Sequence, residues 1–152
     1  KSEDDWTSAQ SWIYGVGLEH AQVSDFALEL LENLRTNGWD ISVHSHKTVN
    51  GPLQYGAVPL RALALDWLSK SNLSLYIDVE RGLHFYDDLD SKIDGIRRAN
   101  LSVYVDDLPA VFQHPNYPRE IISYLYKSES THIHWLKSIS NFSEIGVSFE
   151  NA

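Results

Sequence analysis

An α/β fold with a mainly parallel sheet is what this sequence predicts, and three observations carry the prediction. Short apolar runs of strand character alternate with helical patterns of about 10–15 residues, the arrangement of βαβ units. The strand runs end in hydroxyl, lysine and carboxylate residues, the groups a parallel sheet gathers at its carboxyl-terminal rim. The length, 152 residues, fits one domain able to bury a core.

The elements follow in order. Residues 1–23 have weak periodicity, and the segment from Trp12 to Val16 is able to contribute a strand. Ser24-Asp25 is expected to cap a helix carrying Phe26, Leu30, Leu31 and Leu34, and Asn37-Gly38 to end it. Ile41 to Ser45 is the first clear strand. Residues 46–56 are a loop, with Asn50-Gly51-Pro52 and Gly56 as turn chemistry. Leu60, Leu63, Ala64, Trp67 and Leu68 form one helical stripe. Leu73 to Val79 is expected as a strand or an extended connection. Leu83 to Tyr86 is a strand, and Asp87 or Asp88 caps a helix with Leu89, Ile93 and Ile96 on one face. Leu101 to Val105 and Ile121 to Tyr126 are buried strands flanking a stretch with Pro109, Pro115 and Pro118. In the tail, Trp135, Leu136 and Ile139 suggest a short helix.

Composition narrows the function classes. Twelve Lys+Arg against 21 Asp+Glu give a net charge of −9, which repels nucleic acid and anionic membrane surfaces. No cysteine is present, so disulfides, thiolate catalysis and Cys-ligated zinc are excluded. No apolar run is long enough for a membrane span, and the N-terminus lacks signal-peptide order, so the cytoplasm is the expected compartment. The expected division is an N-terminal segment, 1–23, followed by a single α/β domain, 24–152.

Three strand ends carry candidate chemistry. The first ends in Ser45-His46-Lys47-Thr48, the second leads into Asp87-Asp88-Leu89-Asp90-Ser91-Lys92, and the third ends in Asp106-Asp107-Leu108-Pro109. Carboxylates hold Mg²⁺ through hard oxygens, a hydroxyl donates to a phosphate oxygen, and a lysine in a first helical turn adds positive charge to the anion-binding end. Each has a plainer reading: Ser45 as a turn residue, Lys92 as a solvated helix lysine, Asp87, Asp88 and Asp90 as first-turn acids. Asp106-Asp107 is harder to dismiss, because like charges after a buried strand repel each other.

The order of these elements resembles the second, third and fourth motifs of the haloacid dehalogenase (HAD)-like superfamily. The local wording is similar to a bacterial subgroup of HAD-like phosphatases. It includes Ser45-His46-Lys47-Thr48, Leu60 to Leu68, Phe85 to Ile93, and Val103-Tyr104-Val105-Asp106-Asp107-Leu108-Pro109. The resemblance spans residues 24–126 and implies a Rossmann-like three-layer αβα sandwich without a large cap domain. It also implies a Mg²⁺-dependent phosphohydrolase acting on a small phosphorylated metabolite. In that scheme Asp106 and Asp107 bind Mg²⁺, Ser45 bonds the transferring phosphoryl oxygen, and Lys92 stabilises negative charge on nucleophile and phosphate. His46, Lys47 and Arg61 are candidate substrate-binding residues, and the 46–56 loop a candidate flap.

One part of the family pattern is missing. The first motif, Asp-x-Asp at the end of a first strand, is not found before Ser45: Asp4-Asp5 follows no apolar run, and Trp12 to Gly17 ends in glycines. Asp78 imitates the motif but lies after Ser45. In the family's sheet that strand lies between those of residues 41–45 and 101–105, so its omission leaves two apolar edges facing a gap. Either an upstream strand carries the motif, the expectation for a sequence that starts at Lys1 and contains no Met, or residues 12–16 fill the gap without the nucleophile. The alternative function is then a non-catalytic binding or assembly module. His44-x-His46 and His132-x-His134 have metal-ligand spacing but no evident third ligand, so they are expected to be structural or surface histidines.

Overall fold

A computed structural model describes residues 9, 11–24, 26–51, 58–126 and 136–145. The chain is mixed α/β, with parallel strands in two small sheets. Helix α1 spans Ala27–Thr36, strand β1 Val43–His46, α2 Leu60–Lys70, β2 Leu83–Tyr86 and α3 Leu89–Ala99. Strand β3 spans Val103–Asp106, α4 Pro109–Gln113, β4 Ile122–Tyr126 and β5 Lys137–Ile139. One sheet pairs β1 with β2, with Ser45 opposite Phe85; the other has the order β3-β4-β5, with Asp106 opposite Leu125.

Several boundaries follow from local chemistry. Asn37 closes α1, and Gly38 takes the left-handed φ of +82° that lets the chain turn out of the helix. Asp88 rather than Asp87 caps α3: its side chain accepts from the Ser91 backbone N–H at 2.7 Å, and the Ser91 side chain meets the Asp88 backbone N–H, completing a capping box. These bonds hold the Asp88 carboxyl below its ordinary pKa. Pro109 opens α4 at the position where a missing N–H costs nothing.

Four expectations are corrected. Residues 11–23 form no strand: residues 11–13 are helical and Val16–His20 is a 3₁₀ turn. Helix α1 has Phe26 at its N-cap position with φ 62° and no side-chain cap; Asp25 lies outside the described residues. Asn72–Leu75 is a 3₁₀ turn, in which the Ser71 and Ser74 hydroxyls bond backbone carbonyls and compete with extended pairing. Lys137–Ile139 is a strand parallel to β4, because Ile139 buries against the sheet, whereas apolar residues three apart in so short a window suit either period. Trp135 lies outside the described residues.

Two apolar clusters cover the faces of the β3-β4-β5 sheet, as parallel strands require. Ile93 and Ile96 of α3 and Val111 and Phe112 of α4 pack with Tyr104, Tyr117 and Leu125. On the other face Val103 and Val105 pack with Tyr124, Ile139, Ile145 and Leu30 of α1.

Helix α3 lies hard against the β1-β2 sheet because Gly95 has no side chain. A Cβ there would stand 2.1 Å from the Tyr86 hydroxyl oxygen and 2.3 Å from its ring carbon Cζ. Gly95→Ala is expected to destabilise the fold by about 1–3 kcal/mol despite the better helix propensity of alanine. Chemical denaturation of the variant alone, and together with Tyr86→Val, checks this; equal losses in the two would refute the steric cause.

Candidate functional site

Strand β2 runs directly into α3, and Lys92 in the first turns of that helix bonds Asp106, the last residue of β3. The carboxyl ends of β1, β2 and β3 therefore share one rim. That rim brings together Ser45, His46 and Lys47, then Asp87 and Lys92, then Asp106 and Asp107.

The centre of the rim is a buried ion pair. Lys92 Nζ donates to Asp106 Oδ2 at 2.6 Å, with the two side chains only 7% and 8% exposed. Tyr104 Oη donates to the same oxygen at 2.7 Å, and the Leu108 backbone N–H donates to Oδ1 at 2.9 Å. Asp106 is thus held from three directions by strand, helix and following turn. Burial, and then the Asp106 charge, push the Tyr104 hydroxyl pKa well up, so it stays a donor. Lys92, whose plainer sequence reading was a solvated helix lysine, is buried.

Tyr104 was not singled out from sequence, although the signal was present. Two residues before Asp106 on a strand, it had to share that residue's face. The same alternation puts Ser45 on the face of β1 opposite His44, the residue that turns toward α3. Ser45 is half-buried and, among the described residues, its hydroxyl bonds neither Lys92 nor Asp106.

The remaining candidates form a second cluster at the same rim. Arg61 Nε donates to the Lys47 carbonyl at 2.7 Å, and its Nη2 donates to Asp87 Oδ1 at 2.6 Å, so one guanidinium ties α2 to the ends of β1 and β2. His46 Nε2 lies 3.1 Å from the Asp87 carbonyl oxygen. Lys47 Nζ sits 3.8 Å from the centre of the Tyr14 ring, and burial holds its pKa below the usual lysine value. Residues 52–56 of the proposed flap lie outside the described residues; the Gly51 N–H donates to the Val58 carbonyl at 2.8 Å.

The two histidines of the His44-x-His46 pair have different surroundings. His46 is exposed, whereas His44 is buried, with Nδ1 2.8 Å from the Tyr86 hydroxyl and Nε2 3.1 Å from the Ser42 hydroxyl. His132 and His134 lie outside the described residues. Burial above all, then His84 and Lys92, lower the His44 pKa to about 4. The folded chain therefore refuses a proton that the unfolded chain accepts below its ordinary value of 6.5. Stability is full above pH 6.5 and falls as the pH drops toward 4, by on the order of 2 kcal/mol once screening is allowed for. Denaturation midpoints across that window check this, and His44→Gln is expected to flatten the dependence.

The donor chemistry at the rim suits Mg²⁺ in type. Asp106 and the exposed Asp107 offer hard oxygens, and Mg²⁺ commonly takes one or two carboxylates while keeping several waters. Among the described residues no cluster of three or more His, Asp or Glu side chains forms a fuller cage. Among them also, no helix is long and apolar enough to cross a membrane. No family model, curated protein or solved structure matches this chain.

Proposed function

We propose that this chain is a HAD-like phosphohydrolase, dependent on Mg²⁺ and acting on a small phosphorylated metabolite. The supporting observation is the buried Lys92–Asp106 pair at the carboxyl rim of parallel strands, with Asp107 exposed beside it. Burying two charges costs several kcal/mol, and functional rims are where such arrangements concentrate. Asp106 and Asp107 would hold the metal, which when bound supplies Lewis-acid polarisation of the phosphoryl oxygens. Lys92 orients Asp106 and adds positive charge where a phosphate would sit. His46 and Lys47 are the nearest candidates for gripping the substrate, with Arg61 bracing the Lys47 backbone from below. In this reading the two sheets are parts of one Rossmann-like three-layer sandwich in the order β2-β1, then β3-β4-β5.

A second reading, a non-catalytic HAD-like binding or assembly module, is favoured by one specific observation. No third His, Asp or Glu side chain joins the acidic pair among the described residues.

Hydrolysis of p-nitrophenyl phosphate separates the two. The phosphatase reading expects turnover with Mg²⁺ and none in EDTA. Asp106→Asn abolishes it in a chain whose circular dichroism is retained. Asp107→Asn, at an exposed position, raises the Mg²⁺ requirement by about tenfold. Sustained turnover in EDTA ends this reading; no turnover under any condition supports the second.

A further inference from the structure

Asp106 reaches the rim with most of its hydrogen-bonding capacity already taken up. An ionised carboxylate offers about four lone-pair sites, two on each oxygen. Lys92 Nζ and Tyr104 Oη both donate to Oδ2, at 2.6 and 2.7 Å, and the Leu108 N–H donates to Oδ1 at 2.9 Å. Among the described residues that leaves one site open, on Oδ1. Asp106 can therefore give one oxygen to a cation, and not both.

Two donors close Oδ2, and they differ in what holds them. Lys92 is a long side chain drawn to the carboxylate by charge. Tyr104 is fixed from outside the site: it is 7% exposed, and its ring stands edge-on to Phe112 and tilted against Tyr117, with centres 6.1 and 6.4 Å away. Tyr104 and Asp106 are two apart on β3 and share a face, so the strand itself delivers the hydroxyl to the carboxylate. Burial keeps that hydroxyl protonated, so it goes on donating as the pH rises.

We propose that Tyr104 is a positioning residue that makes Asp106 a one-oxygen ligand and so favours Mg²⁺ over Ca²⁺ at the rim. The proposal rests on the metal-binding part of the phosphatase reading. The two ions differ in what they ask of a carboxylate. Mg²⁺ is small, takes near-ideal octahedral geometry and keeps several waters, so a single oxygen serves it. Ca²⁺ takes more oxygens in flexible geometry and often uses both oxygens of one carboxylate. Closing Oδ2 leaves the contact that Mg²⁺ needs and withholds the second oxygen from Ca²⁺. Tyr104→Phe keeps the ring and its packing but removes the donor, which reopens a site on Oδ2.

Titration calorimetry of the whole chain with MgCl₂ and with CaCl₂ tests it, for the parent and for Tyr104→Phe with circular dichroism retained. Tyr104→Phe is expected to strengthen Ca²⁺ relative to Mg²⁺ by at least about tenfold, and Asp106→Asn in the same chain to cancel the gain. If both affinities shift or neither does, with their ratio unchanged, the hydroxyl does not control which oxygens are offered. That result overturns the proposal while the metal reading stands. If the parent binds neither ion, the metal reading falls and the proposal with it. Binding is read directly, so the outcome is independent of turnover. Asp107→Asn supplies a reading that needs no change at Tyr104. With Ca²⁺ bound, the infrared splitting between its antisymmetric and symmetric carboxylate stretches should be the wide one of one-oxygen ligation. The narrow splitting of two-oxygen ligation, lost when Asp106→Asn is added, overturns the proposal whether or not Tyr104→Phe folds.

Discussion

Replacing Lys92 by methionine is expected to cost about 3–5 kcal/mol of stability, since it strands a buried carboxylate without its cation. Asp106 is nearly covered, and after the substitution only Tyr104 Oη and the Leu108 N–H would remain to stabilise its charge. Removing that charge as well should recover much of the loss, so Lys92→Met with Asp106→Asn is expected to be more stable than Lys92→Met alone. Urea denaturation of the two variants measures the difference. If the double variant is no more stable than the single one, burial of an unpaired charge is not the cause. The experiment also bears on function, since the same pair anchors the proposed phosphate site.

An effect of similar size is expected at Phe112. Its side chain is 2% exposed and packs edge-on to Tyr117, with ring centres 5.3 Å apart, and to Tyr104 at 6.1 Å. Phe112→Ala removes a ring from the contact between α4 and the β3-β4 pair, and a cavity there is expected to cost about 3–5 kcal/mol. Because Tyr104 is itself a donor to Asp106, the loosened core should also speed exchange at the Asp106 turn. Phe112→Leu should lose distinctly less. Equal midpoints for Phe112→Ala and the parent chain would mean that the cluster does not carry the stability assigned to it.

How far the sequence could be read depended on how local each cause was. Strands β1 to β4, helices α1 to α3 and the stop at Asn37-Gly38 were legible, since each rests on periodicity or turn chemistry within a few residues. The acid cap of α3 was narrowed to two residues, and the capping box with Ser91 selects Asp88. The tail strand and the turn at Asn72–Leu75 were not legible. In the first, burial against β4 decided between two periods; in the second, serine hydroxyls satisfied the backbone locally. Among the candidate residues, Asp106 and Lys92 meet, whereas Ser45 is turned to the other face of its strand.

By itself the sequence determined which residues stand at the strand ends, and on the expectation of parallel strands it pointed Ser45, Lys92, Asp106 and Asp107 toward one rim. Parallel strands sharing a direction leave their carboxyl ends no other place. Only the tertiary structure decided which of them touch. The 2.6 Å bond between Lys92 and Asp106 depends on where α3 lies over the β1-β2 sheet, and the bare backbone of Gly95 beneath Tyr86 sets that approach. The separation of the two sheets was likewise decided in three dimensions. Strand pairing is a contact between segments distant in the chain, and no local pattern records whether the neighbour is present.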